Sequence, residues 1–197
     1  AVTATLARRL GVAVRILPMS DAPVRTRIRT PDGWLSFQEY FVREKSLVEV
    51  LEVVYEGAAS ATPASGVIEA IDAAELIVIC PSNPVTSIGP ILSVPGIPEA
   101  LGRARKPVVA VSPIVGGAAV SGPAGALMVA RGLAVSPVGV ATAYAPWLRS
   151  LLIDRRDAAC APDLERLGVT PIATEIVMTD HQREIALARV VLDGGRP

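Results

Sequence analysis

Residues 79–92 read ICPSNPVTSIGPIL, an apolar run into Cys80 followed by a segment rich in Pro, Ser, Asn, Thr and Gly. Ser82, Asn83, Thr86 and Ser87 offer side-chain hydrogen bonds, and Pro84 restrains the backbone between them. Ile88 and Gly89 stand where a following helix would begin, so their N–H groups are candidates for holding an anion, phosphate above all. The plainer alternative is a polar turn in which Asn83 and Ser87 cap backbone groups.

Two further segments carry candidate residues. In PIVGGAAVSGPA, residues 113–124, Gly116 and Gly117 let backbone approach a ligand closely, and Gly122-Pro123 can open a helix. Small residues packing against a neighbouring strand would leave the same pattern. In LPMSDAPVRTRI, residues 17–28, Asp21 can bind a metal, orient a hydroxyl or cap a turn, the last being the ordinary role of a lone loop Asp. His181 is the single histidine and has no Cys or His at metal spacing, which points to a solvent-exposed position. Cys80 closes a run that reads as a buried strand and is expected to pack. The chain contains no G-x-G-x-x-G, no Walker motif and no G-x-S-x-G, so serine hydrolase and ordinary NAD dehydrogenase readings lack support.

The elements that must position these segments follow from periodicity. The chain has 197 residues, 51% of them hydrophobic, with 19 Lys+Arg against 19 Asp+Glu. A balanced charge gives no reason to expect nucleic acid or an anionic membrane as partner. Two cysteines are too few for a disulfide framework and point to a reducing, cytoplasmic setting. Pro107–Ala130 holds no charged residue, but its Pro and Gly content would break a membrane-spanning helix several times. A buried strand, a Gly-rich loop and a helix start fit it better. Strands are expected at 12–18, 24–30, 48–56, 75–80, 106–113 and 150–154, with another over 169–178. Helices are expected at 3–9, 65–74, 95–104, 122–133, 161–168 and 180–193; residues 36–44 fit a strand or a helix, the helix favoured by Ser36 as cap with Glu39 three residues on, a capping box. PDG at 31–33 is a turn. Buried strands alternating with helices imply an α/β, Rossmann-like, doubly wound and mostly parallel sheet, here as one domain over 1–197 with an irregular insert over 20–60.

Five segments together resemble the 2-phospho-L-lactate transferases of coenzyme F-420 biosynthesis: PSNPVTSIGPILSVPGIPEAL (81–101), PMSDAPVRT (18–26), GWLSFQEYFVRE (33–44), PIVGGAAVSGPA (113–124) and LLIDRRDA (151–158). The resemblance runs from near Ala1 to the final helix in the same order.

It implies transfer of a 2-phospho-L-lactyl or phosphoenolpyruvyl group from a GDP-linked donor to the hydroxyl of the deazaflavin precursor, with GMP leaving and Mg2+ assisting. It would set Ser82, Asn83, Pro84, Thr86, Ser87, Ile88 and Gly89 against the donor, Met19, Ser20, Asp21 and Thr26 on the deazaflavin side, and Gly116, Gly117 and Gly122 in a second loop. The family's Gly-rich strand–turn–helix and early acidic metal-holding residues have no counterpart before Ala1. The chain is therefore expected to be the C-terminal two-thirds of such an enzyme, with no metal ligands of its own, unassigned catalytic residues, and little or no turnover alone. A homodimer is the family expectation. The competing resemblance is to non-enzymatic nucleotide-sugar-binding regulatory proteins of the same fold, which share the TSI-x-P loop but not Pro81-Ser82-Asn83-Pro84 or PIVGGAAVSGPA.

Overall fold

The computed structural model describes residues 2–104 and 106–194. Helix α1 (Val2–Arg9) ends where Gly11 takes a φ of 68°, which lets Val12 N–H reach back to Ala7 O at 2.9 Å. Residues 12–18 do not form the expected strand. Their alternation is right, but no strand lies alongside among the described residues, and a strand without a ladder has no support. Val14 and Ile16 stay exposed as a result.

Strands β1 (Arg25–Thr30), β2 (Gly33–Ser36) and β3 (Glu52–Glu56) form an antiparallel sheet in the order β2-β1-β3. This regular three-stranded sheet, with β1 at its centre, occupies the region expected to be an irregular insert. The β1–β2 hairpin closes at the anticipated PDG turn, with Gly33 at φ 123° and Thr30 Oγ1 donating to Gly33 O at 3.0 Å. Alternation along β1 buries Ile28 and Thr30 and leaves Arg29 outward, paired with Glu52 at 2.9 Å. A π-helical turn (Glu39–Arg43) follows β2. The expected capping box is present: Ser36 N–H donates to Glu39 Oε2 at 2.8 Å and Glu39 N–H to Ser36 Oγ at 3.2 Å.

After α2 (Val67–Ala73), strand β4 (Ile77–Ile79) runs into a second π-helical turn (Pro84–Ile88), then α3 (Gly89–Leu92) and α4 (Ile97–Arg103). Strand β5 (Val108–Val111) leads to a two-residue-stranded hairpin, β6 (Ile114–Val115) and β7 (Ala118–Ala119), then α5 (Ala124–Ala130) and α6 (Pro137–Tyr144). Strand β8 (Ser150–Asp154), a 3-10 turn (Arg155–Cys160), α7 (Ala161–Arg166), β9 (Thr170–Thr174) and α8 (His181–Gly194) complete the chain.

The main sheet is parallel throughout, in the order β4-β5-β8-β9. Because both faces are covered, β5 and β8 are buried along their whole length and read as apolar runs. One face sets Val108, Ala110, Leu151 and Ile153 in a core with Leu127 and Met128 of α5 and Val140 and Tyr144 of α6. The other sets Val109, Val111 and Leu152 against Leu187 and Val191 of α8. Strand β4 is an edge strand rather than the fully buried one expected. Val78 is 39% exposed and Cys80, just past the strand, is exposed instead of packed. His181 is exposed as expected and lies 3.1 Å from Glu184. No helix among the described residues is long and apolar enough to cross a membrane.

Candidate functional site

In an open parallel sheet ligands bind beyond the carboxyl ends of the strands. Two chain reversals lie at that edge. After β4, Asn83 Oδ1 accepts from Val85 N–H at 2.9 Å and Thr86 N–H at 3.2 Å, while its carbonyl accepts from Ser87 and Ile88 at 3.0 and 3.1 Å. Gly89 N–H closes onto Pro84 O. Pro84, having no N–H, suits the first position of the turn. The N–H groups of Ile88 and Gly89 are thus engaged within the turn, which corrects the expectation that they face an anion. Asn83 has the capping role set out as the plainer alternative.

The turn is fastened to the antiparallel sheet. Tyr55 Oη of β3 donates to Val85 O at 2.5 Å, and the Arg131 guanidinium lies 5.4 Å from the Tyr55 ring centroid while donating to Val53 O at 3.2 Å. Burial pushes the Tyr55 phenol pKa up. A Cβ on Gly89 would collide with Tyr55 Oη, so close packing explains the glycine.

After β5, Ser112 Oγ accepts from Ile114 N–H at 3.1 Å and donates to Ile114 O at 2.9 Å, which turns the chain into the small hairpin. Gly116 and Gly117, at φ 60° and 77°, make its tip, a conformation that two-residue hairpin turns demand. Gly116 N–H donates to both carboxylate oxygens of Asp157, at 3.1 and 2.9 Å. The glycine pair therefore shapes the hairpin and does not line the hollow described next, whereas Gly122 does.

That hollow, of about 420 Å³, lies between the two reversals. Ser82, Asn83, Thr86 and Ser87 form one wall, and residues 120–124 with Ser112 and Pro113 form another. Phe37 and Phe41 close a third side with parallel rings, centroids 5.6 Å apart and planes 13° apart. Ile176, Val177 and Met178, following β9, complete it. No charged side chain lines it among the described residues. A larger hollow of about 600 Å³ lies at the opposite edge, by the amino ends of β5, β8 and β9, where this architecture does not place ligands.

Val177 also borders a charged recess of about 370 Å³ lined by Asp154, Arg155, Arg156, Glu175 and Arg183. Arg156 donates to Asp154 through its Nε at 2.7 Å and its backbone N–H at 3.1 Å, and the side-chain bond foremost holds the Asp154 carboxyl below its usual range. Arg183 pairs with Glu175.

Pro84 and Gly89 border the far side of the turn beside Tyr55, and Ile88 packs on the core. Met19 packs there too, with its carbonyl accepting from Ala64 N–H at 3.1 Å. Ser20 Oγ accepts from Ala22 N–H, Asp21 is exposed, and Thr26 of β1 pairs with Tyr55 of β3. None of these four borders the hollow. The residues missed from sequence are Phe37, Phe41, Ser112, Ser121 and the 176–178 segment. A signal for the aromatic pair was available, since Phe37 and Phe41 lie four apart in a helix-like segment.

Mg2+ favours carboxylate and phosphate oxygens, and the hollow offers only hydroxyl and amide groups. Among the described residues no three His, Cys, Asp or Glu cluster so as to hold a metal ion. The residues present do not fit the ion.

A parallel sheet wrapped on both faces, with a ligand-sized hollow at its carboxyl edge, defines a Rossmann-like α/β protein. Solved structures agree on the fold: protein BH3568 from Bacillus halodurans matches with a TM-score of 0.66 at 19% identity, over 96% of this chain and 65% of that one. A second structure of bh3568, titled as a member of the upf0052 family, gives 0.68 at 18% identity over 96% and 64%. The family model described as 2-phospho-L-lactate transferase CofD matches residues 1–183, and the chain belongs to that family. A 2-phospho-L-lactate transferase of Methanococcoides burtonii is 45% identical over 85% of this chain and 54% of its own length. One from Methanosarcina acetivorans is 44% identical over 96% and 61%. A phosphoenolpyruvate transferase of Streptomyces griseus is 43% identical over 98% and 62%. The chain thus spans between about half and two-thirds of the length of these relatives.

Proposed function

We propose that this chain serves a transferase of coenzyme F-420 biosynthesis. The enzyme moves a 2-phospho-L-lactyl or phosphoenolpyruvyl group from a GDP-linked donor to the hydroxyl of 7,8-didemethyl-8-hydroxy-5-deazariboflavin. A new O–P bond forms at the acceptor, the donor's P–O–P linkage breaks, and GMP leaves with the electron pair. The single observation that carries this reading is the family match over residues 1–183.

Transfer of this kind asks the protein mainly to position reactants and balance charge. Ser82, Thr86 and Ser87 line the hollow and supply neutral hydrogen bonds, while the adjoining recess sets Arg155, Arg156 and Arg183 against Asp154 and Glu175, a positive excess suited to phosphate oxygens. Asn83 holds the hydroxyl-bearing turn in shape.

Calorimetric titration of the chain with GDP and with a UDP-sugar tests the reading. GDP should bind more tightly. Preference for the UDP-sugar would instead favour a nucleotide-sugar-binding regulatory protein, and binding of neither GDP nor the deazaflavin would sink the proposal.

A further inference from the structure

The uncharged hollow combines features that a phosphate site would not. Its hydroxyl wall faces no Lys or Arg, and the backbone N–H groups of the 84–89 turn are engaged internally. The same hollow is bordered by an aromatic surface that the fold leaves open. Phe41 is 45% exposed and Met178 is 46% exposed, both on this hollow and nowhere in the core. Phe37 stacks on one face of Phe41, so the pair forms a rigid aromatic wall. Large apolar side chains gathered around a concavity with a few convergent hydroxyls are the usual make-up of a small-molecule site, and a volume of about 420 Å³ lies within the range for a drug-sized ligand.

We propose that Phe41, backed by Phe37, is the stacking platform for a neutral planar heteroaromatic ring, held edge-on by the hydroxyls of Ser82, Thr86 and Ser87. The inference rests on the transferase reading, which supplies two such rings, the acceptor's deazaflavin and the donor's guanine. The uncharged wall separates ring from phosphates, whose natural place is the arginine recess beyond Val177. This assigns a specificity-determining surface to residues 37 and 41, and moves the ring away from Met19, Ser20, Asp21 and Thr26.

The test uses the 197-residue chain with two probes, the deazaflavin alcohol followed by fluorescence anisotropy and guanosine followed by calorimetry. Phe41→Leu keeps apolar bulk but removes the π face, and should weaken one of the two rings about tenfold. Phe41→Trp should restore or tighten that same ring. GDP titration and the circular-dichroism melting curve accompany each variant. Loss of affinity for the deazaflavin identifies the acceptor ring, and loss for guanosine identifies the donor base; either supports the platform. Unchanged affinity of Phe41→Leu for both rings overturns it, as does a wild-type chain that binds GDP but neither ring. A wild-type chain that binds a ring through Phe41 but prefers a UDP-sugar to GDP would fail the transferase reading and leave the platform standing.

Discussion

The parallel and the antiparallel sheet differ in how they use their side chains. Strands β5 and β8 are buried on both faces, so nearly every residue there is part of one core or the other. The antiparallel sheet buries one face through Ile28 and Val53, and its outer face carries the exposed pairs Arg29–Glu52 and Arg27–Glu56. The main sheet therefore stands between both apolar clusters and contributes to each. The antiparallel sheet contributes little core but brings, through β2 and the turn after it, the aromatic wall of a hollow whose other walls follow β4, β5 and β9. The two parts meet where Tyr55 of β3 reaches Val85 and Gly89 in the turn after β4.

The sharpest way to break that contrast is in β8. Leu151→Ala opens a cavity in a fully buried position and should cost about 2–5 kcal/mol in urea unfolding, taking every binding signal with it as the fold is lost. At the junction, Gly89→Ala forces a methyl against Tyr55 Oη and should cost about 1–3 kcal/mol. Tyr55→Phe alone should cost about 1 kcal/mol through the lost bond to Val85 O. The double variant should be less damaging than the sum, because the offending hydroxyl is gone; strict additivity would show that the two sheets are not coupled there.

A smaller effect belongs to the turn itself. Asn83→Ala removes the acceptor for Val85 and Thr86 N–H and should cost about 1 kcal/mol, whereas Asn83→Asp should keep most of it. Smallest is Asp154, at the carboxyl end of β8. Its carboxyl is lowered from an ordinary value of 3.8, foremost by Arg156, so its contribution is complete above that value and disappears as pH falls through the lowered one. Arg156 is largely exposed, which limits the contribution to about 1 kcal/mol or less. Thermal unfolding of wild type and Asp154→Asn should differ at neutral pH and converge in strong acid.

Where a local pattern coincided with tertiary demand, sequence was a good guide. SLLID, with three apolar residues at its centre, is β8 to the residue, and PDG is the β1–β2 turn. Helix α6 was not anticipated. Val138, Gly139, Val140 and Thr142 are weak helix formers, and without a polar face no amphipathic period can show; packing alone holds it. The helix start was nonetheless written in Ser136, whose Oγ accepts from Gly139 N–H at 3.2 Å, and in Pro137 at the first position. Residues 12–18 failed the other way, since a period of two names a strand but not the partner it requires. At the site, polar composition singled out Ser82, Asn83, Thr86 and Ser87, and the Gly-rich pattern singled out a second loop with Gly122; the fold sets these five on one hollow. It could not reveal that the N–H groups of Ile88 and Gly89 would be engaged inside a π-helical turn, or that a distant aromatic pair would face it.

The uncharged lining of the hollow has a consequence for solution conditions. Counterions gather around charged walls and must be displaced by an arriving anion, so affinity at the arginine recess should fall as ionic strength rises. A neutral ring entering a neutral hollow displaces none. Raising the salt concentration should therefore separate the two halves of one ligand, loosening its phosphates while leaving the hold on its ring almost unchanged.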